Sequence, residues 1–147
     1  VVFQSSATNL VAGDGNGAID IFERDMLDIL PMEIASRVPG GALGNGHSID
    51  PSLSADGRFV VFTTSATNFV FGDANGSTDV FLHDRSTGTT TRVSVASDGT
   101  QGDEIIEWDL GISVDGRQVV FATYASTLVP DDTNFSVDVF LHERPAA

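Results

Sequence analysis

SATNFVFGDANGSTDVFLHDR, residues 65–85, decides the fold, because the chain carries a version of it three times. The triplet Val-Val-Phe begins at Val1, Val60 and Val119, so the repeat length is 59 residues. Asp20, Asp79 and Asp138 keep that spacing, as do Phe22, Phe81 and Phe140. Aligned without gaps, residues 1–25 and 60–84 agree at 15 of 25 positions, and 60–85 and 119–144 at 15 of 26. Agreement of that extent at a constant period is the mark of a repeat architecture, in which each unit buries its apolar face against the next.

Within one period the local signals are those of strands. PSLSADGRFVVFTTS (51–65) places two short apolar runs around Asp56-Gly57, a dipeptide suited to two-residue hairpin turns, and Asp115-Gly116 repeats it. A long loop, SATNFVFGDANGS, leads to TDVFLHDR as a third strand. After the turn at STG, TTTRVSVAS alternates as a fourth, rich in β-branched residues. Apolar residues fall in blocks of three or four punctuated by Gly, Asn and Asp, which is incompatible with helix. Residues 26–38, MLDILPMEIASRV, depart from the pattern. Pro31 opposes a long helix there, so the segment reads as an outer, edge-type strand with an apolar face for packing or for contact with another protein.

Four antiparallel strands per unit, repeated, predict an all-β fold of β-propeller blades. The strand count gives about two and a half blades in one segment, 1–147: a partial blade at 1–38, a full blade at 48–97 and a partial blade at 107–144. Such a segment does not close into a ring alone, so further blades are expected from a longer parent chain or from self-association. The opening VVFQSS, with neither Met nor a leader pattern, reads as that of a mature, trimmed or excised piece. Val60, Val61, Phe62, Val80 and Phe81 are expected in the core. Trp108, the single Trp, is expected to pack in the core or between blades opposite Ile49, with an exposed sugar-stacking platform as the alternative.

The formal net charge is −14, from 21 acidic residues against 7 basic ones, all of them Arg. An acidic surface repels phosphate backbones and anionic lipid, which argues against nucleic-acid and membrane-surface partners. No apolar run approaches the roughly 20 residues of a membrane-spanning helix, so membrane insertion is not expected. With no Cys, disulfides, thiolate metal sites and a Cys nucleophile are excluded.

DPSLSADGRFVVF (50–62) resembles the P-x-[WFL]-S-x-D-G-[KR]-x-[IV]-x-[FY] signature of the WD-repeat-like propeller repeats of the bacterial TolB family. Pro51, Ser54, Asp56, Gly57, Arg58 and Phe62 match it. In the next unit Ser113, Asp115, Gly116, Arg117 and Phe121 match, while Leu110 stands where Pro is expected. The long-loop half resembles a subtype of exported bacterial proteins. The resemblance covers essentially the whole chain. It implies a propeller scaffold or binding module, periplasmic or extracellular, with a protein or a glycan as partner. An accessory role beside a hydrolase or peptidase domain, and carbohydrate binding, are the alternatives.

The loops GDGNGAID (13–20), GDANGSTD (72–79) and DDTNFSVD (131–138) share Asp-x-Asn-x-x-x-Asp. Hard cations take six to eight oxygens, which carboxylates, carboxamides and backbone carbonyls supply. Asp14, Asn16 and Asp20, Asp73, Asn75 and Asp79, and Asp132, Asn134 and Asp138 are therefore candidate Ca²⁺ ligands. The competing reading is that Asn-Gly makes a tight turn while the Asp side chains hold loop amides, the third copy, with Phe135 in place of Gly, being the weaker turn. FLHDR (81–85) and FLHER (140–144) set a His beside an acid, but neighbours on a strand point to opposite faces, so His83 and Asp84 form no dyad. A tie at the blade edge is the expected role. For sugar binding, Phe69 and Phe71 are the aromatic candidates. No nucleophile elbow, zinc-protease motif or phosphate loop is present, and every polar cluster recurs with the fold, which favours scaffolding over catalysis.

Overall fold

The computed structural model describes residues 1–27, 30–104 and 109–145. Among these the regular structure is entirely strand: β1 (Val2–Ser5), β2 (Asp20–Glu23), β3 (Glu33–Ile34), β4 (Ser48–Leu53), β5 (Phe59–Thr64), β6 (Asp79–Asp84), β7 (Thr89–Arg92), β8 (Gly111–Ile112), β9 (Gln118–Thr123) and β10 (Asp138–Glu143). They form three antiparallel sheets, ordered β1-β2-β3, β4-β5-β6-β7 and β8-β9-β10. The middle sheet is a complete four-stranded blade. Trp108 lies outside the described residues.

The period-2 rule explains why FVVF (59–62) and VFL (80–82) are continuous apolar runs. On β5 and β6, Val60, Phe62 and Phe81 face the first sheet, where they meet Ile21, Ala35 and Val2. Val61, Val80 and Leu82 face the third, where they meet Val119, Phe121 and Phe140. A strand buried on both sides has no polar face. All five residues expected in the core are 0% exposed. The same cross-strand aromatic pair recurs in each sheet: Phe3–Phe22 at 5.8 Å, Phe62–Phe81 at 6.4 Å and Phe121–Phe140 at 5.8 Å between ring centres.

Asp56-Gly57 makes a longer turn than the dipeptide alone suggests. The Ser54 amide donates to Phe59 O and the Gly57 amide to Ser54 O, closing a four-residue loop in place of a two-residue one. Ser54 is the cause: its Oγ donates to Asp56 (2.6 Å) and accepts from the Phe59 amide (3.0 Å), filling the rung the backbone leaves open. Ser113 does the same for Asp115 and Gln118. Gly57 and Gly116 take the left-handed conformation (φ +73° and +69°) that ends such loops. At Pro51 the ladder slips between Ile49 and Ser52, and Asp50 has φ +53°. Asp109 keeps this backbone (φ +73°) although Leu110 replaces the proline.

Two expected strands are shorter than their sequence pattern. Among its described residues the 26–38 segment contributes the strand Glu33–Ile34, with Met26, Leu27 and Leu30 exposed. The fourth strand of the middle blade ends at Arg92 and is followed by an isolated bridge, Val95 to Gln101. A partner for β7 on its outer side is absent among the described residues, and an unpaired strand is held only as far as one ladder reaches.

The link between the first two sheets passes so close to the next strand that only glycine fits. A Cβ on Gly46 would lie 2.8 Å from Ala66 N and from Ser65 C, both backbone atoms. Gly46→Ala is expected to cost about 1–3 kcal/mol by overpacking, seen as a lower denaturation midpoint. Gly15→Ala, where a Cβ meets nothing within 4 Å, is the control and is expected to fold as well as wild type.

Candidate functional site

Each Asp-x-Asn loop is built by its Asn. The side-chain oxygens of Asn16, Asn75 and Asn134 accept from the amides of Ala18 (3.0 Å), Ser77 (3.1 Å) and Ser136 (2.8 Å), an Asx turn in every unit. Their amide nitrogens point the other way. Asn16 Nδ2 donates to Gly44 O (3.1 Å) and Asn75 Nδ2 to Gly102 O (2.8 Å), tying the long loop to the link that follows the fourth strand. Asn75 and Asn134 also turn Nδ2 toward Asp79 and Asp138. The Asn residues thus spend their oxygens on the loop backbone.

The carboxylates meet where the third strand begins. In the middle unit Ser94 Oγ donates to Asp79 Oδ1 (2.7 Å), and Arg92 Nη2 lies 2.9 Å from Asp73 Oδ2 and 3.4 Å from Asp79 Oδ2. These side chains are 5%, 3% and 2% exposed. Nη2 sits within ion-pair distance without the alignment of a hydrogen bond, and Asp73 Oδ1 has no aligned donor either. The guanidinium also lies 5.6 Å from the centre of the Phe81 ring. Burial pushes the Asp79 carboxyl above the ordinary range, against the pull of Ser94 and Arg92. One arginine therefore supplies the positive charge between the two candidate ligands of this unit. Sequence reading missed Arg92 because it stands 13 residues beyond Asp79, and only strand pairing brings it back.

The first unit has the same parts. Ser36 Oγ donates to Asp20 Oδ1 (2.8 Å) and accepts from the Ile21 amide (3.0 Å), as Ser94 does at Asp79 and Val80. Asp14 and Asp20 are buried, at 9% and 0% exposure. Burial raises the Asp14 carboxyl, the Asp20 charge raises it further and Arg37 draws it down. In the third unit Asp132 and Asp138 are half-buried, and Asn134 donates to Asp138 Oδ2 (2.8 Å).

The FLHDR segment forms edge ties, as its sequence suggests. Asp84 receives Arg58 through both oxygens (3.0 and 2.8 Å), and this pairing holds its carboxyl far below the usual range. Arg85 donates to Gly57 O and Arg144 to Gly116 O, each anchoring the hairpin loop of its own sheet. Arg144 also covers the Phe59 ring of the neighbouring sheet at 4.0 Å. His83 Nδ1 bonds Thr90 Oγ1 (3.0 Å), and burial lowers its pKa. His47 is exposed and accepts the Ile19 amide (2.9 Å).

One non-repeating cluster escaped the sequence reading. Glu23, 6% exposed, pairs with Arg85 Nε across the first two sheets at 2.6 Å. With Glu33, Arg37 and His83 they line a groove of about 440 Å³. The signal was a Glu in a column otherwise filled by Leu82 and Leu141. Phe69, an aromatic candidate for sugar contact, is a core residue at 1% exposure, 5.0 Å from Phe81. Phe71 is fully exposed.

Solved structures share the fold that carries these residues. A TolB-assigned protein of Agrobacterium tumefaciens superposes with a TM-score of 0.51 at 21% identity, over 88% of this chain and 39% of its own. The fold is that of TolB-like propeller blades. TolB of Acinetobacter baumannii gives 0.49 at 22% identity, over 85% of this chain and 24% of its own. The chain thus spans well under half the length of these TolB structures. No protein-family model and no curated protein matches it.

Proposed function

We propose that this chain is a non-catalytic segment of an exported bacterial propeller, and that the loop ends of its blades dock a protein partner. The single observation that carries this reading is Phe135. It is 91% exposed and sits at φ +54°, where Gly17 and Gly76 take φ +69° and +68° in the other units. A bulky residue held in a left-handed conformation costs of order 1–3 kcal/mol, and such outliers cluster at functional sites, ligand clamps among them. Phe71, 107% exposed, lies in the matching loop of the adjacent blade. Exposed aromatics are the usual anchors of protein interfaces. The TolB-like fold and the use of the recurrent Arg and Asp side chains in blade-building ties support a scaffold over an enzyme. The same likeness supports an exported, periplasmic or extracellular location.

Phe135→Gly is expected to raise the melting temperature by a few degrees, since it removes the strain. It is also expected to weaken retention of a protein from a bacterial envelope extract, with Phe71→Ser weakening it further. A variant no more stable than wild type, or an extract protein retained equally by wild type and the double variant, would defeat the reading.

A further inference from the structure

The geometry points to one Ca²⁺ site per chain, at Asp14 and Asp20 of the first unit, where isoleucine replaces the arginine that neutralises the same carboxylate pair in the middle unit. The two units superimpose part by part. Ser36 stands for Ser94, Gly44 O for Gly102 O and Asn16 for Asn75, each making the same hydrogen bond to its partner. Ile34 pairs across the ladder with Phe22 as Arg92 pairs with Phe81. The seat itself differs, Ile34 for Arg92, and two places beside it differ as well: Arg37 stands where the middle unit has Val95, and Asn75 also donates to Asp79. Ile34 is 4% exposed and carries no charge.

The consequence is visible at the oxygens. Asp14 Oδ1 and Asp20 Oδ2 are buried with no hydrogen-bond partner. Arg37, whose charge draws the Asp14 carboxyl down, donates through Nη1 to Gly41 O at 2.6 Å and makes no ion pair with either carboxylate among the described residues. In the middle unit a single nitrogen reaches both carboxylates, and in the first unit Asp14 and Asp20 are close enough for the Asp20 charge to act on Asp14, so the pair suits one small ion. Two buried carboxylates carry two negative charges and offer only oxygen, with neither His nor Cys among these groups, and that donor set favours a hard divalent cation. Water and loop carbonyls would complete the shell. Asn16 stays outside it, since its oxygen holds Ala18. The departure at residues 26–38 thus exchanges a built-in cation for a borrowed one.

The test uses the 147-residue chain stripped with chelator and titrated with CaCl₂. Expected are one Ca²⁺ bound per chain by equilibrium dialysis, with a dissociation constant of about 10⁻⁴–10⁻³ M as in extracellular modules, and a rise in melting temperature of about 3 °C near saturation. Ile34→Arg is expected to melt higher than wild type in chelator and to lose the Ca²⁺ response. Asp14→Asn is expected to weaken binding at least about tenfold. In the reciprocal experiment, Arg92→Ile is expected to bind a second Ca²⁺ and to regain stability with it. A Ca²⁺ response unchanged in Ile34→Arg would overturn the assignment. So would a wild type that ignores Ca²⁺ and is stabilised by acid alone, since the two carboxyls would then share a proton.

Discussion

Arg92→Ala is expected to destabilise the chain by about 3–5 kcal/mol, because it strips the cation from two carboxylates that stay buried. Asp73 and Asp79, at 3% and 2% side-chain exposure, would face each other with only Ser94 and Asn75 as donors. The pH dependence follows from the sign of the shift. The Asp79 carboxyl already lies above its ordinary 3.8 through burial, and loss of the guanidinium raises it further. The folded variant then binds more protons than the unfolded chain, so acidification from neutrality favours folding. Urea unfolding of Arg92→Ala and wild type should differ most at pH 7 and converge toward pH 5. Arg92→Lys should fall between, since an ammonium keeps the charge without the reach of a guanidinium. A pH-independent deficit would mean that Arg92 acts through packing against Phe81 alone.

Phe81→Ala should be comparably severe, about 3–5 kcal/mol, or a fall in melting temperature on the order of 10 °C for a chain of this size. Phe81 is 0% exposed, stacked 6.4 Å from Phe62 and 5.0 Å from Phe69, with Arg92 over its ring. Its removal opens a cavity in the packing of the first two sheets, and backbone pairing on both sides of β6 keeps the site from collapsing. Phe71→Ala, at an exposed position of the same unit, should lie within about 0.5 kcal/mol of wild type. Equal losses for the two variants would mean that the sheets do not pack through the Val60, Phe62 and Phe81 face. The same face is repeated by Phe22 and Phe140, and their stacking on Phe3 and Phe121 makes them the next positions to substitute.

How far the candidate site was legible can be argued from its residues. The 59-residue spacing of Val60, Phe62, Asp79 and Phe81 needs no coordinates to be read, and it fixes strands, unit and core together. The reason is physical: a sheet buried on both faces requires an uninterrupted apolar run, and a repeat that cannot bury itself must recur. A turn at Asn16 and Asn75 was legible from Asn-Gly, which is a local signal. The loop amides, however, are held by the Asn oxygens where the sequence reading gave that role to the Asp side chains, and Asn134 does so without a following Gly. What surrounds the carboxylates was not legible. The partner of Asp79 comes from another strand and is chosen by the ladder that sets Arg92 opposite Phe81.

The amino-acid order alone therefore determined the period, the strand pattern and the residues that fill the core. Folding alone decided that Ser54 lengthens the hairpin loop, that Glu23 meets Arg85 across two sheets, and that the ladder position whose guanidinium sits between two aspartates in one unit is an isoleucine in another. Backbone preference and apolar pattern act over a few neighbouring residues and can be read in order. Charge compensation acts through space, at 2.9 Å, between side chains that the chain holds far apart until its strands pair.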